Sequence, residues 1–321
     1  MKVFAKVTAG ILLLIVVAVV GVYVWASTSS SRILAQTHEV HDVDFPIPFP
    51  ANGDAAGATA DSLVLHDDQA LAVERGRHLV TARYACMECH GEDFSGGTMV
   101  DAFPIGRLLG PNLTLGAGSR TLAYTPRDWD RIVRHGVLPD GRASVMPSED
   151  FRLMSDQELS DIISYIRSFP PVDNEVPRST LGPLGKFLVA TGGIQLSASI
   201  IESHGSPHRI VPPPAEVSLE FGEHLVATCT GCHGSDLSGG PIAGGDPSWP
   251  PARNLTPHPD ALGGWSYENF VTALRTSTRP DGTPLQMPMT LVMPAAQRMT
   301  DVELQAMWTY LQSLPPVPAA G

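Results

Sequence analysis

The 321-residue chain has few cysteines, few basic residues and a single long apolar run. All four cysteines belong to two short motifs, which leaves none for a disulfide framework elsewhere. Lysine and arginine number 21 against 33 acidic residues, giving a net charge of −12. We expect no nucleic-acid partner, because phosphate binding requires clustered basic side chains. An acidic surface instead suits a protein partner with a basic patch.

The apolar run covers residues 7–26 and follows Lys2 and Lys6. Twenty helical residues span about 30 Å, the thickness of a bilayer core. Tyr23 and Trp25 stand where the far interface would be, as in an aromatic belt.

This pattern predicts that residues 1–26 form a single-pass transmembrane anchor. The anchor would lie in a bacterial inner membrane, with the N-terminus in the cytoplasm and the rest of the chain in the periplasm. A cleaved signal peptide is the alternative, with Val24-Trp25-Ala26 as a cleavage site. The apolar run is long for such a peptide, which favours the anchor. Residues 27–73 begin with a polar, Pro-rich stretch and are predicted to form a tether.

The rest of the chain contains two copies of one sequence, which predicts domains at residues 74–172 and 220–317 joined by a linker at 173–219. The matches keep their order, with offsets between 141 and 146 residues. They include Cys-His-Gly at 89–91 and 232–234, Asn-Leu-Thr at 112–114 and 254–256, Pro-Asp-Gly at 139–141 and 280–282, and Pro-Pro-Val at 170–172 and 315–317.

Each copy is predicted to be mainly α, with short helices joined by long loops. Capping boxes at Ser155 and Thr300 begin the last helix of each copy. Further helices are predicted at residues 126–135 and 267–276, and no sustained strand alternation is present. The first helix carries Gly76 in one copy and Gly222 in the other, small enough for close approach of the last helix.

The linker contains an apolar stretch at residues 181–201. Pro183, Lys186 and Gln195 interrupt it, which disfavours a second membrane span. We expect it to pack between the domains or to lie in the membrane interface.

Each copy contains one Cys-x-x-Cys-His motif, the pattern of c-type haem attachment. The two thiols of such a motif can form thioether bonds with the haem vinyl groups, and the histidine becomes the proximal iron ligand. A thioredoxin-like pair would need βαβ patterning, and neither that pair nor a zinc site explains the adjacent histidine. The predicted sites are therefore Cys86, Cys89 and His90, and Cys229, Cys232 and His233.

A sixth iron ligand must come from elsewhere in each copy. Met146-Pro147 precedes the last helix of the first copy and is the main candidate; Met99 and Met154 are weaker ones. In the second copy Met287 matches Met146 by its distance from the Pro-Asp-Gly turn, whereas Met293 lies closer to the helix and Met289 falls between them. Four extra residues here leave the choice open, with Met287 favoured.

Two further pairs of matching residues allow alternatives. His78 and His224 are either spare iron ligands or partly exposed helix histidines, and the second is favoured. Arg134 and Arg275 either pair with haem propionates or lie on a helix surface.

The Cys-x-x-Cys-His-Gly motif, Gly110-Pro111-Asn112-Leu113, Met-Pro and the Ser-Asp-x-Glu-Leu helix resemble class I cytochrome c domains. Two such domains behind an anchor are similar to the membrane-bound cytochrome c subunits of bacterial alcohol, aldehyde and gluconate dehydrogenases, which usually carry three haem motifs. The resemblance implies that the Pro111 carbonyl accepts a hydrogen bond from His90. The second copy has Arg253 in that place.

Taken together, the residues and the resemblance predict two covalently bound haem c groups with His–Met ligation, which suits single-electron transfer. The expected donor is a dehydrogenase subunit or a quinol-linked complex, and the expected acceptor an oxidase or a soluble cytochrome. The alternative is a di-haem enzyme such as a peroxidase, which needs one haem whose iron can open a coordination position.

Overall fold

The computed structural model describes residues 2–50, 62–242, 245–246 and 248–320. The helices are α1 (Lys2–Leu34), α2 (Ser62–His78), α3 (Met87–His90), α4 (Pro126–His135), α5 (Asp156–Arg167), α6 (Pro183–Thr191), α7 (Ser197–Ile200), α8 (Leu219–Val226), α9 (Thr230–His233), α10 (Tyr267–Thr276), α11 (Met289–Ala296) and α12 (Asp301–Ser313). A π-helical turn covers Leu79–Arg83, and 3-10 turns cover Ser148–Phe151, Ala227–Cys229 and Leu262–Gly264.

The predicted fold class is confirmed: each copy is a mainly α domain built around its first and last helices. Helix α2 packs on α5, and α8 packs on α12. A Cβ atom at Gly76 would lie 2.0 Å from the Asp161 carbonyl oxygen, and one at Gly222 would lie 2.2 Å from that of Ala306. Only glycine permits this approach of the two backbones.

The last helices begin where their sequences predict. The side chains of Ser155 and Thr300 each accept a hydrogen bond from the backbone N–H of the glutamate three residues later. The carboxylate of that glutamate in turn accepts a hydrogen bond from the backbone N–H of the capping residue. Helices α4 and α10 also coincide with the ranges expected from sequence.

A small antiparallel sheet in the first domain was not predicted from the sequence. Strands β1 (Gly97–Ala102) and β2 (Gly106–Gly110) form a hairpin, and β3 (Thr180–Leu181) adds to it from the linker. The burial of β1 does not alternate, so its sequence carries no period of two.

The N-terminal helix is longer than the predicted anchor, since α1 continues to Leu34. The following residues up to 50 pack on the first domain, with Phe45 and Phe49 buried, where a tether of little structure was expected. Residues 51–61 of the predicted tether lie outside the described residues, and α2 begins at Ser62, ahead of the predicted domain start at 74.

The linker forms short helices that contact α1. Phe187 of α6 packs edge-on against Trp25, with ring centroids 6.3 Å apart, and the Lys186 ammonium lies 5.4 Å from the centre of the Tyr23 ring. Helix α6 has nine residues, too few to span a bilayer. Within the described ranges, α1 is the one helix long and apolar enough to cross a membrane.

Candidate haem sites

In the first motif, Cys86 lies at the N-terminus of α3 and His90 ends that helix. His90 Nδ1 lies 3.1 Å from the Pro111 carbonyl oxygen and donates to it. Burial lowers the pKa of His90, so the ring is neutral near pH 7. A neutral imidazole that donates from Nδ1 presents the lone pair of Nε2, the form that binds a metal.

The second motif repeats this geometry without the proline. His233 Nδ1 donates to the Arg253 carbonyl oxygen over 2.6 Å, and burial again lowers the histidine pKa. The acceptor is a backbone atom, so the side chain at this position can differ between the domains.

All four cysteines are free of disulfide bonds. Burial raises the pKa of the Cys86 and Cys229 thiols to about 12. Two free thiols beside an orientated imidazole fit covalently attached haem c.

Matching asparagines hold the segments that carry the two acceptor carbonyls. Asn112 Nδ2 donates to the Val172 carbonyl oxygen over 2.8 Å, and Asn254 Nδ2 donates to that of Val317 over 2.7 Å. The two best-matched loop motifs of the repeat, Asn-Leu-Thr and Pro-Pro-Val, are therefore bonded to each other in each domain. These bonds place Pro111, and likewise Arg253, opposite the histidine.

The loops that carry the methionine candidates share their register up to the first Met-Pro pair. Ser144 N donates to the Gly136 carbonyl oxygen, and Leu285 N makes the equivalent bond to Ser277. The donor and the acceptor of the second bond each lie 141 positions after those of the first bond. In each copy a methionine follows the donor residue by two positions, at Met146 and Met287. The four extra residues of the second copy come after Met287, where α11 replaces a single 3-10 turn.

The other methionines lie outside this shared register. Met293 is 3% exposed and belongs to the apolar core of the second domain, and Met289 packs against that core. Met154 is equally buried in the core of the first domain, and Met99 lies on β1 with 40% of its surface exposed.

The matching histidines bond to the opposite domains. His78 Nε2 lies 2.8 Å from Glu303 Oε1, and His224 Nε2 lies 2.8 Å from Glu158 Oε1. These are the capping glutamates of α12 and α5, so each histidine connects its own domain to the last helix of the other. Arg83 lies between them, 3.2 Å from Glu158 and 2.5 Å from Glu303. His78 is half-buried as expected, whereas His224 is buried.

The matching arginines connect the helix before the methionine loop to the last helix. Arg134 is fully buried and pairs with Asp130 at 2.7 Å and Asp156 at 2.8 Å. Arg275 is more exposed and pairs with Asp301, the counterpart of Asp156. Both guanidinium groups therefore pair with carboxylates of the protein.

The two domains meet through their methionine loops. The turn Ser148–Phe151 contacts residues 227–233 around the second haem motif, and α11 contacts the π-helical turn Leu79–Arg83 before the first motif. Sequence reasoning missed this interface. Its one signal was the presence of three extra residues before Cys86, which the π-helical turn accommodates.

Comparison with known proteins bears directly on the two repeats. Residues 219–315 match the family model described as cytochrome c, and residues 71–166 match the one described as cytochrome c oxidase, cbb3-type, subunit III. Each repeat is a cytochrome c domain. The predicted resemblance is thereby confirmed, and such domains imply haem c.

Several curated relatives are similar over most of this chain. It is 28% identical over 300 residues to the cytochrome c subunit of a quinone-type alcohol dehydrogenase from Gluconacetobacter polyoxogenes, covering 83% of this chain and 59% of that protein. It is 26% identical to the fructose dehydrogenase cytochrome subunit of Gluconobacter japonicus, covering 78% and 54%. A diheme c-type cytochrome of Cereibacter sphaeroides is 25% identical, with 72% and 82% covered. The chain thus spans less than two thirds of the dehydrogenase subunits it matches.

Proposed function

We propose that this protein is a di-haem electron-transfer cytochrome. Cys86 and Cys89 hold one haem c, and Cys229 and Cys232 hold the other. The observation that carries the proposal is the duplicated histidine geometry, in which Nδ1 of each proximal candidate donates to a backbone carbonyl. When bound, haem supplies an iron centre that takes up and releases one electron.

Met146 and Met287 are the proposed distal ligands. The shared hydrogen bonds of the two loops support this pair, because they keep both methionines in the same register. Met293 is the alternative in the second domain, and its burial among apolar side chains favours a core role instead. Two matching thioether ligands leave no open position on iron, which favours a carrier over a peroxidase.

The proposed direction of transfer is from a dehydrogenase subunit or quinol-linked complex to an oxidase or soluble cytochrome. The names of the relatives support a dehydrogenase as donor. The acidic surface supports electrostatic steering of a basic partner. Contact between each methionine loop and the opposite domain supports electron exchange within the chain.

We place α1 across the bacterial inner membrane as an uncleaved anchor, with both cytochrome domains in the periplasm. Ala26 and Ser30 near its end are buried against the protein, which favours retention of the helix. The contact of α6 with Tyr23 and Trp25 supports a position of α6 at the membrane surface. Phe187 remains partly exposed there, where it can enter the interface.

A spectroscopic redox titration of the detergent-solubilised full chain tests the proposal. We expect two electrons per chain and the weak near-infrared band of methionine-ligated haem. Met146→Leu and Met287→Leu should each remove about half of that band and lower one of the two potentials. Met293→Leu is the matched control and should leave the band intact.

Two outcomes would contradict the proposal. Loss of the band in Met293→Leu alone would move the ligand to that residue. Rapid turnover of peroxide by the wild-type protein, or carbon monoxide binding to one of its reduced haems, would indicate an enzyme.

A further inference from the structure

Four ligand-type side chains converge outside the haem sites. Asp130 and His135 belong to α4, His41 to the segment after α1, and His208 to the linker. One nitrogen or oxygen atom of each lies within 4.8 Å of the other three. His135 Nε2 and His208 Nε2 are 3.0 Å apart, and Asp130 Oδ1 lies 3.7 Å and 3.5 Å from them. A tetrahedral ion with bonds of about 2.0–2.1 Å spaces its ligand atoms by roughly 3.3 Å.

The two members on α4 are buried, and the cluster contains buried polar atoms without partners. Asp130 and His135 are at most 1% exposed. Asp130 Oδ1 accepts a hydrogen bond from Arg134. Asp130 Oδ2 and His41 Nε2 are buried without a hydrogen-bond partner anywhere in the described part of the chain. Unpartnered buried polar atoms are costly and rare, so two of them at one point indicate a bound group.

The outer hydrogen bonds orient the rings of His41 and His135. His41 Nδ1 donates to the His204 carbonyl oxygen over 3.0 Å. His204 Nε2 donates to the Ala198 carbonyl oxygen over 3.0 Å, so its Nδ1 is an acceptor. His135 Nδ1 lies 3.0 Å from that atom and donates to it. Nε2 of His41 and of His135 is therefore left with a free lone pair.

His208 brings a third ring nitrogen to the same point. Its Nε2 lies 3.0 Å from Nε2 of His135 and 3.5 Å from Asp130 Oδ1. A cation among these three atoms would be bound by a lone pair of each.

From this geometry we infer that His41, Asp130, His135 and His208 bind one divalent transition-metal ion, with Zn²⁺ as the representative. Three imidazoles and one carboxylate are typical zinc ligands, whereas Mg²⁺ and Ca²⁺ prefer oxygen. Four protein ligands leave no open position, which is the arrangement of a structural site. The ion would fasten the segment after α1 and the linker to the first domain.

The site is specific to the first domain. In the second copy Val271 and Thr276 stand where Asp130 and His135 stand in the first. This departure from the repeat was the sequence signal for the cluster.

Zinc binding to the purified full chain with its haems attached tests the inference. After treatment with a chelator, titration calorimetry should show one Zn²⁺ per chain, with no competition from Mg²⁺. Absorption at the zinc edge should show about four nitrogen or oxygen ligands near 2.0 Å with imidazole scattering. This readout is separate from haem redox behaviour, so failure of the electron-transfer proposal would leave it unaffected.

His41→Ala and His208→Ala should each weaken zinc binding by at least about 100-fold, the upper end of the loss seen for an outer-shell partner. His38→Ala is the matched control: it lies in the same segment and its ring packs against His204, but it is outside the four. It should bind zinc like the wild type. An unchanged haem spectrum would show that each variant is folded. Absence of stoichiometric zinc uptake by the wild type, or unchanged affinity in both folded ligand variants, would overturn the inference.

Discussion

At the scale of single residues, two glycines determine how closely the first and last helices of each domain approach. Gly76 faces the Asp161 carbonyl and Gly222 faces that of Ala306, with no room for a methyl group. Residue identity matters less where the backbone provides the contact. Pro111 and Arg253 are chemically different, yet their carbonyl oxygens bond to His90 and His233 in the same way.

We predict that Gly222→Ala destabilises the second domain by about 1–3 kcal/mol, because the added Cβ forces α8 away from α12. Urea denaturation followed by circular dichroism measures this change. Gly205→Ala is the control, since a Cβ there meets no atom within 4 Å. Equal stability of the two variants would show that α8 adjusts without cost.

At the scale of elements, most of the helices that could be predicted lie in the two sequence repeats. Capping boxes and apolar spacing predict α5 and α12 because both signals are local in the sequence. The hairpin of β1 and β2 was missed, since its residues show no alternation and its pairing partner β3 lies far along the chain. The position of the Nδ1 acceptor in the second domain, Arg253, followed from the repeat, although a backbone carbonyl leaves no mark on residue type.

We predict that Thr300→Ala lowers the unfolding free energy by about 1 kcal/mol, because the backbone N–H of Glu303 loses its capping oxygen. The urea midpoint of the second domain measures the effect. Thr309→Ala removes an exposed hydroxyl from the middle of the same helix and should change the midpoint far less. Equal losses in both variants would argue against a specific role of the cap.

At the scale of the whole molecule, the interface joins the domains through buried charges. Each capping glutamate accepts a bond from a histidine of the opposite domain, and Arg83 contacts both. Such pairings are invisible in the sequence, because they join residues more than 60 positions apart. Their strength depends on burial, which only the assembled domains provide.

We predict an acid-sensitive component of stability from Glu303. Burial alone would raise its pKa, but the bond from His78 and the charge of Arg83 outweigh this and lower the pKa to about 2. The folded state therefore favours the ionised carboxylate. Its contribution, about 3 kcal/mol, is complete above the usual pKa of 4.5 and is lost as the pH falls towards 2.

Thermal unfolding between pH 6 and pH 2.5 measures this component. Glu303→Gln should be less stable near neutral pH and lose less stability on acidification than the wild type. Glu223→Gln, on the exposed side of α8, serves as the control and should follow the wild-type profile. Parallel pH profiles for Glu303→Gln and the wild type would contradict the prediction.

The reciprocal bonds of His78 and His224 also bear on how the chain arose. Contacts in which one surface meets an identical surface are those of a two-fold dimer. A single-domain ancestor that carried this histidine and this glutamate would have formed both bonds on pairing with itself. Three residues that only the first copy contains place Arg83 between the two glutamates, so this symmetry is broken and the two ends of the interface differ.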